Sequence, residues 1–425
     1  MHYLFALSML VFTALAGCVV NPVTGKKQFS LMSASEEVAA GEQHYAPSQQ
    51  QQGGRYSVDP ELSLYVASVG KKLAAVSDRK ELPYEFVVLN NDTPNAWALP
   101  GGKIAINRGL LLLLDDEAQL AAVLGHEIVH AAARHGATQK TQQDLLSLGV
   151  KEIGIAAQAT EYGELINMSV GLGAGAVQAK YGRSQELESD EYGIEYMVRA
   201  GYEPYGAVEL QETFVTLSEG TSSDFLSTLM ASHPPSQERV DKNREAAEKL
   251  PRGVRNKAQY QSAIAQIVRD KAAYDANSKA ITAIVNKDYA GAQSLINQAI
   301  SKQPEEALFY VTQGQLQLAQ NNTASAMQSF STATRKNPDY FMGFLGLGLS
   351  QKSEGKLTDA RSSFQKSLAI LSTPTGAYHL GELELASGNR DAAITYFQTA
   401  QAGGGDLGAA AAEQLSKLQA VTPSE

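Results

Sequence analysis

Cysteine is almost missing from this chain. Cys18 is the single one among 425 residues, which excludes an intrachain disulfide and any cysteine-built zinc site. Basic charge is also short. Lys and Arg number 35 against 45 Asp and Glu, a net charge of −10. Without a basic surplus to track a phosphate backbone, a nucleic-acid partner is not expected. Long apolar runs are confined to the first 17 residues. Nothing after them is long and apolar enough to span a bilayer, which disfavours a membrane-embedded enzyme. What remains is ordinary globular composition, 44% hydrophobic and 19% charged. The length exceeds the usual single domain, so two or more domains are expected.

The N-terminal run gives Cys18 its reason. "MHYLFALSMLVFTALAGC" is too short to span and stop in a membrane, and reads as an export signal. "LAGC", Leu15 to Cys18, resembles the bacterial lipobox. That resemblance implies cleavage before Cys18 and acylation of it, and several acyl chains anchor stably where one does not. Val19 after the cysteine, by the same resemblance, favours the outer membrane. The run has His2 but no Lys or Arg, a departure from the usual charged start. An ordinary secretory signal with an incidental cysteine is the alternative.

Further along, "SQQQQGG" (Ser48 to Gly54) reads as a surface loop or a helix end. "YEFVVLN" (Tyr84 to Asn90) is β-rich and reads as a buried strand. "NAWALPGGKIAINRG" (Asn95 to Gly109) reads as two extended pieces around a Pro-Gly-Gly turn. Pro94 and Pro100 flank the first piece, which suits the edge of a sheet. A helical pattern runs from Asp115 to His135, with Asp115 and Asp116 as caps and Gly136 as its end. Residues 141–180 form a less clear helical region whose glycine- and alanine-rich end suggests close packing or a mobile cover. Residues 184–200 read as a further helix.

The C-terminal third repeats itself. Gly314, Ala326, Phe330 and Ala333 recur as Gly348, Ala360, Phe364 and Ser367, then as Gly381, Ala393, Phe397 and Ala400. One period earlier stand Ala292, Ile296 and Ala299. The spacing resembles the tetratricopeptide repeat, a helix-turn-helix unit of about 34 residues. Small residues let paired helices approach, and the phenylalanine fills the seam. Four units, or three and a partial one, stack into a short superhelix.

"GHEIVHAAARHGA", positions 125 to 137, holds three histidines. On a helix His126 and His130 stand one above the other and can converge on one ion, with Glu127 placed to reach a water there. This is the HExxH arrangement of zinc hydrolases, although single matches are often accidental. His135, nine positions past His126, counts to the opposite face. It is expected to be a helix-end residue that favours the dipole.

The stretch from Asn95 through His135, together with "CVVNPVTGKKQFSLMSASEE", resembles the HtpX-like and CAAX-prenyl-protease family of zinc metallopeptidases. The likeness is to its periplasmic lipoprotein branch with a tetratricopeptide tail, and it covers nearly the whole chain. The resemblance implies one zinc ion per chain, with Glu186 of "ELESD" as the third ligand beside His126 and His130. Asp190, one turn on, is then placed to orient a ligand histidine; family descriptions also give it a proton-donor role. Glu188, about 200° round from Glu186, reads as a solvated surface charge, as do Glu191 and Glu195. "SHPPSQERV" resembles the family's downstream segment. His233 there can either stabilise the tetrahedral intermediate or occupy the open metal position in a resting state, and Arg239 can anchor its loop to a carboxylate.

The expected architecture is α+β and mostly helical: a zincin-like metallopeptidase domain with a small edge-stranded sheet, then an all-α tetratricopeptide superhelix. The expected divisions are a lipoprotein signal over 1–17, the peptidase over 18–250, a helical connector over 251–275 and the repeats over 276–420. Glu127 is the expected general base. Asn95, Ala96, Trp97 and Ala98 form the edge piece expected to bind substrate as an added strand, which needs an extended, locally unfolded chain. Unfolded or misassembled envelope proteins fit that requirement. The resemblance implies outer-membrane β-barrel precursors and their assembly machinery as partners of the repeats, and the periplasmic face of the outer membrane as the location. The contrasting reading is a membrane-tethered adaptor or holdase with a latent metal site.

Overall fold

The computed structural model describes residues 18–147, 165, 168, 181–220 and 227–420. The expected signal over 1–17 and most of the glycine- and alanine-rich stretch lie outside the described residues. The chain forms two compact units, one within 1–152 and 173–268, the other within 153–172 and 269–425.

The first unit opens with a hairpin, β1 (Cys18–Val20) antiparallel to β2 (Lys27–Phe29). Helix α1 (Ala34–Gln51) begins in a capping box, Ser33 accepting from Glu36 N–H and Glu36 accepting from Ser33 N–H. The glutamine run is the end of this helix, the second of its two expected forms. Gln49, Gln50 and Gln52 are buried there. Helix α2 (Pro60–Ala74) leads to β3 (Glu85–Leu89), β4 (Ala96–Leu99) and β5 (Lys103–Asn107). The order is β3-β5-β4, with β3 parallel and β4 antiparallel to β5. The edge position expected for the "NAWA" piece is where β4 lies.

After the single turn α3 (Arg108–Leu111), α4 (Glu117–Ala132) runs through the core with all its residues buried. A buried helix must satisfy its first turn. Asp116 Oδ1 accepts from Gln119 N–H at 3.0 Å, and Glu117 N–H donates to Arg255 O at 3.0 Å. The helix does not reach Gly136 as expected. It stops at Ala133, and Arg134 takes a left-handed φ of 65°. That unfavourable conformation is held by ion pairing to the buried Glu37. Helix α5 (His135–Ser147) then starts in a new direction. It is followed by α6 (Arg183–Arg199), α7 (Tyr205–Gly220), α8 (Ser227–Ser232), α9 (Gln237–Glu248) and α10 (Lys257–Ala263).

The boundary between the units falls inside α11 (Ala265–Val285). The second unit continues with α12 (Tyr289–Lys302), α13 (Ala307–Ala319), α14 (Thr323–Lys336), α15 (Phe341–Ser353), α16 (Leu357–Ile370), α17 (Pro374–Ala386), α18 (Arg390–Ala402) and α19 (Gly405–Ala420). Each repeat is locked by a glycine on one helix under a phenylalanine of the next. A Cβ on Gly314 would lie 2.7 Å from the Phe330 ring, one on Gly348 2.7 Å from Phe364, and one on Gly381 2.9 Å from Phe397. This contact is the physical content of the repeat spacing. Among the described residues no helix is long and apolar enough to cross a membrane.

Candidate metal centre

Two helices build the site, the buried α4 and the inner face of α6. α4 carries His126, Glu127 and His130, and α6 carries Glu186 and Asp190. They meet where Gly125 faces Gly193: a Cβ on Gly125 would sit 3.0 Å from Gly193 O, and one on Gly193 3.1 Å from His126 N. The absence of both side chains lets the backbones approach closely enough for Glu186 to reach the histidines. These glycines were readable in the chain, but only the packing gives them a purpose.

Four residues converge, His126, His130, Glu186 and His233. His126 Nε2 lies 3.0 Å from His130 Nε2 and 3.3 Å from His233 Nδ1. Glu186 lies 3.5 Å from His126 Nε2, 3.3 Å from His130 Nε2 and 3.1 Å from His233 Nδ1. Four ligands about 2.0–2.1 Å from a tetrahedral metal ion stand about 3.3 Å apart. The gathered atoms match that spacing, so the donor set fits a divalent cation.

The surroundings orient each ligand. His126 Nδ1 is 2.9 Å from Asp190 Oδ1, which fixes its Nε2 toward the centre. Arg239 grips Asp190 with Nε at 2.6 Å and Nη2 at 2.7 Å, reaches Glu186 with Nη1 at 2.8 Å, and donates to Pro234 O at 3.2 Å. One guanidinium thus ties the His233 loop to Glu186 and Asp190 of α6. The Tyr181 ring stacks on His130 at 3.7 Å, a contact with no signal in the sequence.

His135 and Glu188 stand differently from expectation. Because the chain turns at Arg134, His135 folds back behind His130, with Nδ1 3.0 Å from His130 Nδ1. It is buried, and is not a dipole-favouring residue at the end of the metal helix. Glu188 is no solvated surface charge. Its Oε1 lies 3.2 Å from His135 Nε2 and accepts from Asn21 Nδ2 at 2.7 Å. Glu191 is exposed and Glu195 pairs with Arg199 at the surface, as expected.

Electrostatics follow from this crowding. Burial works against charge on His126, but Glu186 and Asp190 outweigh it and push its pKa up to about 10. Burial also resists ionisation of Glu186, yet His233 and His126 hold it well below the usual carboxylate range. Burial raises Glu127. Its Oε2 has no hydrogen-bond partner, and its Oε1 faces His233 Nε2 at 3.5 Å. A partner-free carboxylate oxygen in an enclosed site is placed to take a proton.

An apolar cavity opens beside Glu127 and His126, lined among others by Val123, Ile194, Met197 and Phe214. Ala96 of β4 also lines it, whereas Trp97 packs into the core, edge-on to Tyr45 at 6.0 Å. Asn95 and Ala98 are buried as well. Of the four residues Asn95 to Ala98, Ala96 is the one that lines the cavity.

A hydrolytic metal site needs donors gathered on rigid elements and an unengaged base beside them. The first unit gathers the donors and sets a free Glu127 oxygen beside them, which fits a metal-dependent hydrolase. Residues 60–247 match the model of peptidase family M48, and residues 277–341 and 311–373 match the tetratricopeptide repeat model. The chain carries an M48 peptidase domain followed by tetratricopeptide repeats, consistent with the resemblance read from the sequence. It is 25% identical over 348 residues to the β-barrel assembly-enhancing protease of Yersinia pestis, covering 75% of this chain and 70% of that one. It is 30% identical over 230 residues to the mitochondrial metalloendopeptidase OMA1 of Schizosaccharomyces pombe, covering 53% and 65%. Against the β-barrel assembly-enhancing protease of Escherichia coli K12 it is 26% identical over 236 residues, covering 54% and 47%. The chain thus spans from about half to some two thirds of these relatives' lengths.

Proposed function

We propose that this chain is a zinc metalloendopeptidase of the bacterial cell envelope, anchored through an acylated Cys18 on the periplasmic face of the outer membrane. Its substrates are extended segments of misfolded or stalled envelope proteins, and the repeats recruit those clients or the machinery that assembles them. The names of two relatives support the envelope and assembly part of this reading. The four-atom shell of His126, His130, Glu186 and His233 is the observation that carries the rest.

His126, His130 and Glu186 would hold one zinc ion, which supplies Lewis acidity to polarise a carbonyl and acidify water beside it. Glu127 Oε2 takes the proton of the attacking water and returns it to the leaving amine. Asp190 is a positioning residue: both its oxygens are engaged by His126 and Arg239. Burial opposes its charge, but Arg239 keeps it ionised, which speaks against a proton donor. β4 aligns an added strand beside the cavity.

His233 describes the resting state. Its Nδ1 lies 3.3 Å from His126 Nε2 while its Nε2 faces Glu127 at 3.5 Å, which supports a ring that would stand where a metal-held water is needed. Cleavage requires it to swing away. The test is zinc content and casein cleavage for the Cys18→Ser chain alone and with Glu127→Gln or His233→Ala. We expect one zinc per chain, slow cleavage by the parent, at least tenfold faster cleavage with His233→Ala, and none with Glu127→Gln. Full zinc with no cleavage by His233→Ala would favour the adaptor reading, which the His233 plug otherwise accommodates only as latency.

A further inference from the structure

The N-terminal hairpin carries an exposed face that the site does not use. Its register pairs Cys18 with Phe29 and Val20 with Lys27. Directly opposed residues in an antiparallel pair share a face, and so do residues two apart. Val20, Lys27 and Phe29 therefore lie on one side, and position 18 belongs to the same row. Val20 is 56% exposed, Phe29 41%, and Leu31 just beyond the strand 55%. Lys26 and Lys27 are exposed beside them.

The opposite side is fastened to the peptidase unit. Gln28 Nε2 donates to Ala133 O at the end of α4, at 3.0 Å. Asn21 Nδ2 donates to Glu188 on α6 at 2.7 Å, while its Oδ1 accepts from Val23 N–H at 2.9 Å and closes the turn. Leu31 N–H donates to Thr141 Oγ1 on α5 at 3.1 Å. The apolar side chains are thus presented by a segment fixed to three helices, with little freedom to fold inward. Three exposed apolar side chains in one row on so fixed a segment offer a surface on which something apolar can rest.

We propose that this face rests on an anionic lipid bilayer, and so fixes the orientation of the metal site relative to the membrane. Two observations select that occupant. The apolar run of residues 1–17 ends at position 18, where the hairpin begins, so a membrane reached through that run or through an acylated cysteine lies against this strand. The lysines supply positive charge at this spot on a chain of net charge −10, which complements anionic headgroups. Acyl chains with basic residues and inserted side chains are the combination that holds a protein to a surface stably.

The test removes the acyl chains and keeps the face. The Cys18→Ser chain beginning at position 18 is sedimented with vesicles of phosphatidylcholine alone or of phosphatidylcholine mixed with the anionic lipid phosphatidylglycerol. We expect binding to the anionic vesicles, weakened by salt. It should fall at least tenfold with Val20→Ser, Phe29→Ser and Leu31→Ser together, and lose its preference for phosphatidylglycerol with Lys26→Glu and Lys27→Glu. Zinc content and circular dichroism of each variant establish that the fold is kept. No binding above that of a soluble control, or equal binding by the triple serine variant, would overturn the proposal. So would a concentration-dependent dimer formed without vesicles and abolished by the triple variant, since the face would then pair two copies.

Discussion

His135 Nδ1 stands 3.0 Å from His130 Nδ1, on the side of the ring opposite the nitrogen turned to Glu186. If His130 presents its Nε2 lone pair to a cation, its Nδ1–H must donate to His135, and His135 Nε2–H then donates to Glu188. The chain of bonds fixes the tautomer. Loss of such outer partners typically costs about 10–100-fold in metal affinity. His135→Phe is expected to show that loss in competition with a chelator, and His135→Asn, which restores an acceptor near the same place, to recover part of it. Unchanged affinity in a merely less stable His135→Phe would make the residue a packing group.

Cation uptake should be coupled to proton release. Without a metal, His126 carries its proton up to a pKa of about 10, because Glu186 and Asp190 outweigh the cost of burial. A cation at Nε2 must displace that proton. Zinc affinity is therefore expected to rise about tenfold per pH unit between about pH 7 and 9 and to level off near 10. Calorimetry in buffers of different ionisation enthalpy at pH 7 should count about one proton released at His126. A count of zero contradicts this.

Arg239 neutralises two buried carboxylates, Asp190 and Glu186. Removing one partner of a buried pair leaves the other charge uncompensated, at a cost of about 3–5 kcal/mol. Arg239→Ala should lower stability by that order in urea unfolding with chelator present. Arg239→Lys keeps the charge but cannot reproduce the two parallel bonds to Asp190, so an intermediate value is expected.

The repeats make a separate prediction. Phe364 is fully buried against Gly348. Phe364→Ala is expected to cost about 3–5 kcal/mol through lost burial and the cavity left behind. Gly348→Val would overpack the same seam at about 1–3 kcal/mol. Urea unfolding reads both, and zinc content should stay unchanged, because the site lies in the other unit.

How far the chain could be read depended on the kind of information each feature needs. The pair His126 and His130, with Glu127 between them, is a matter of helical period and is local. The repeats are a matter of recurrence, and Gly348 under Phe364 shows why both marker types had to recur together. The edge position of β4 followed from Pro94 and Pro100. Glu186 was different. No local rule singles it out from Glu188, and only family resemblance did so. His135 was misplaced because counting turns assumes one unbroken helix. Arg134 leaves the helix at φ 65°, and a single left-handed residue redirects everything after it. The conformation is disfavoured locally and is held by Glu37, nearly a hundred positions earlier in the chain.

The sequence by itself determined the local chemistry: a histidine pair with a base on one helix, an edge strand before it, a cysteine at the end of an apolar run, and a repeat of fixed period. These depend on neighbours a few residues away, where backbone geometry is nearly invariant. Only the tertiary structure decided which distant groups share a space. It brought α6 against α4 at Gly125 and Gly193, put Arg239 on Glu186 and Asp190, set His233 beside His126 and Glu186, and linked Asn21 through Glu188 and His135 to His130. Those relations arise from packing between segments far apart in the chain, where small shifts in helix direction choose among many partners.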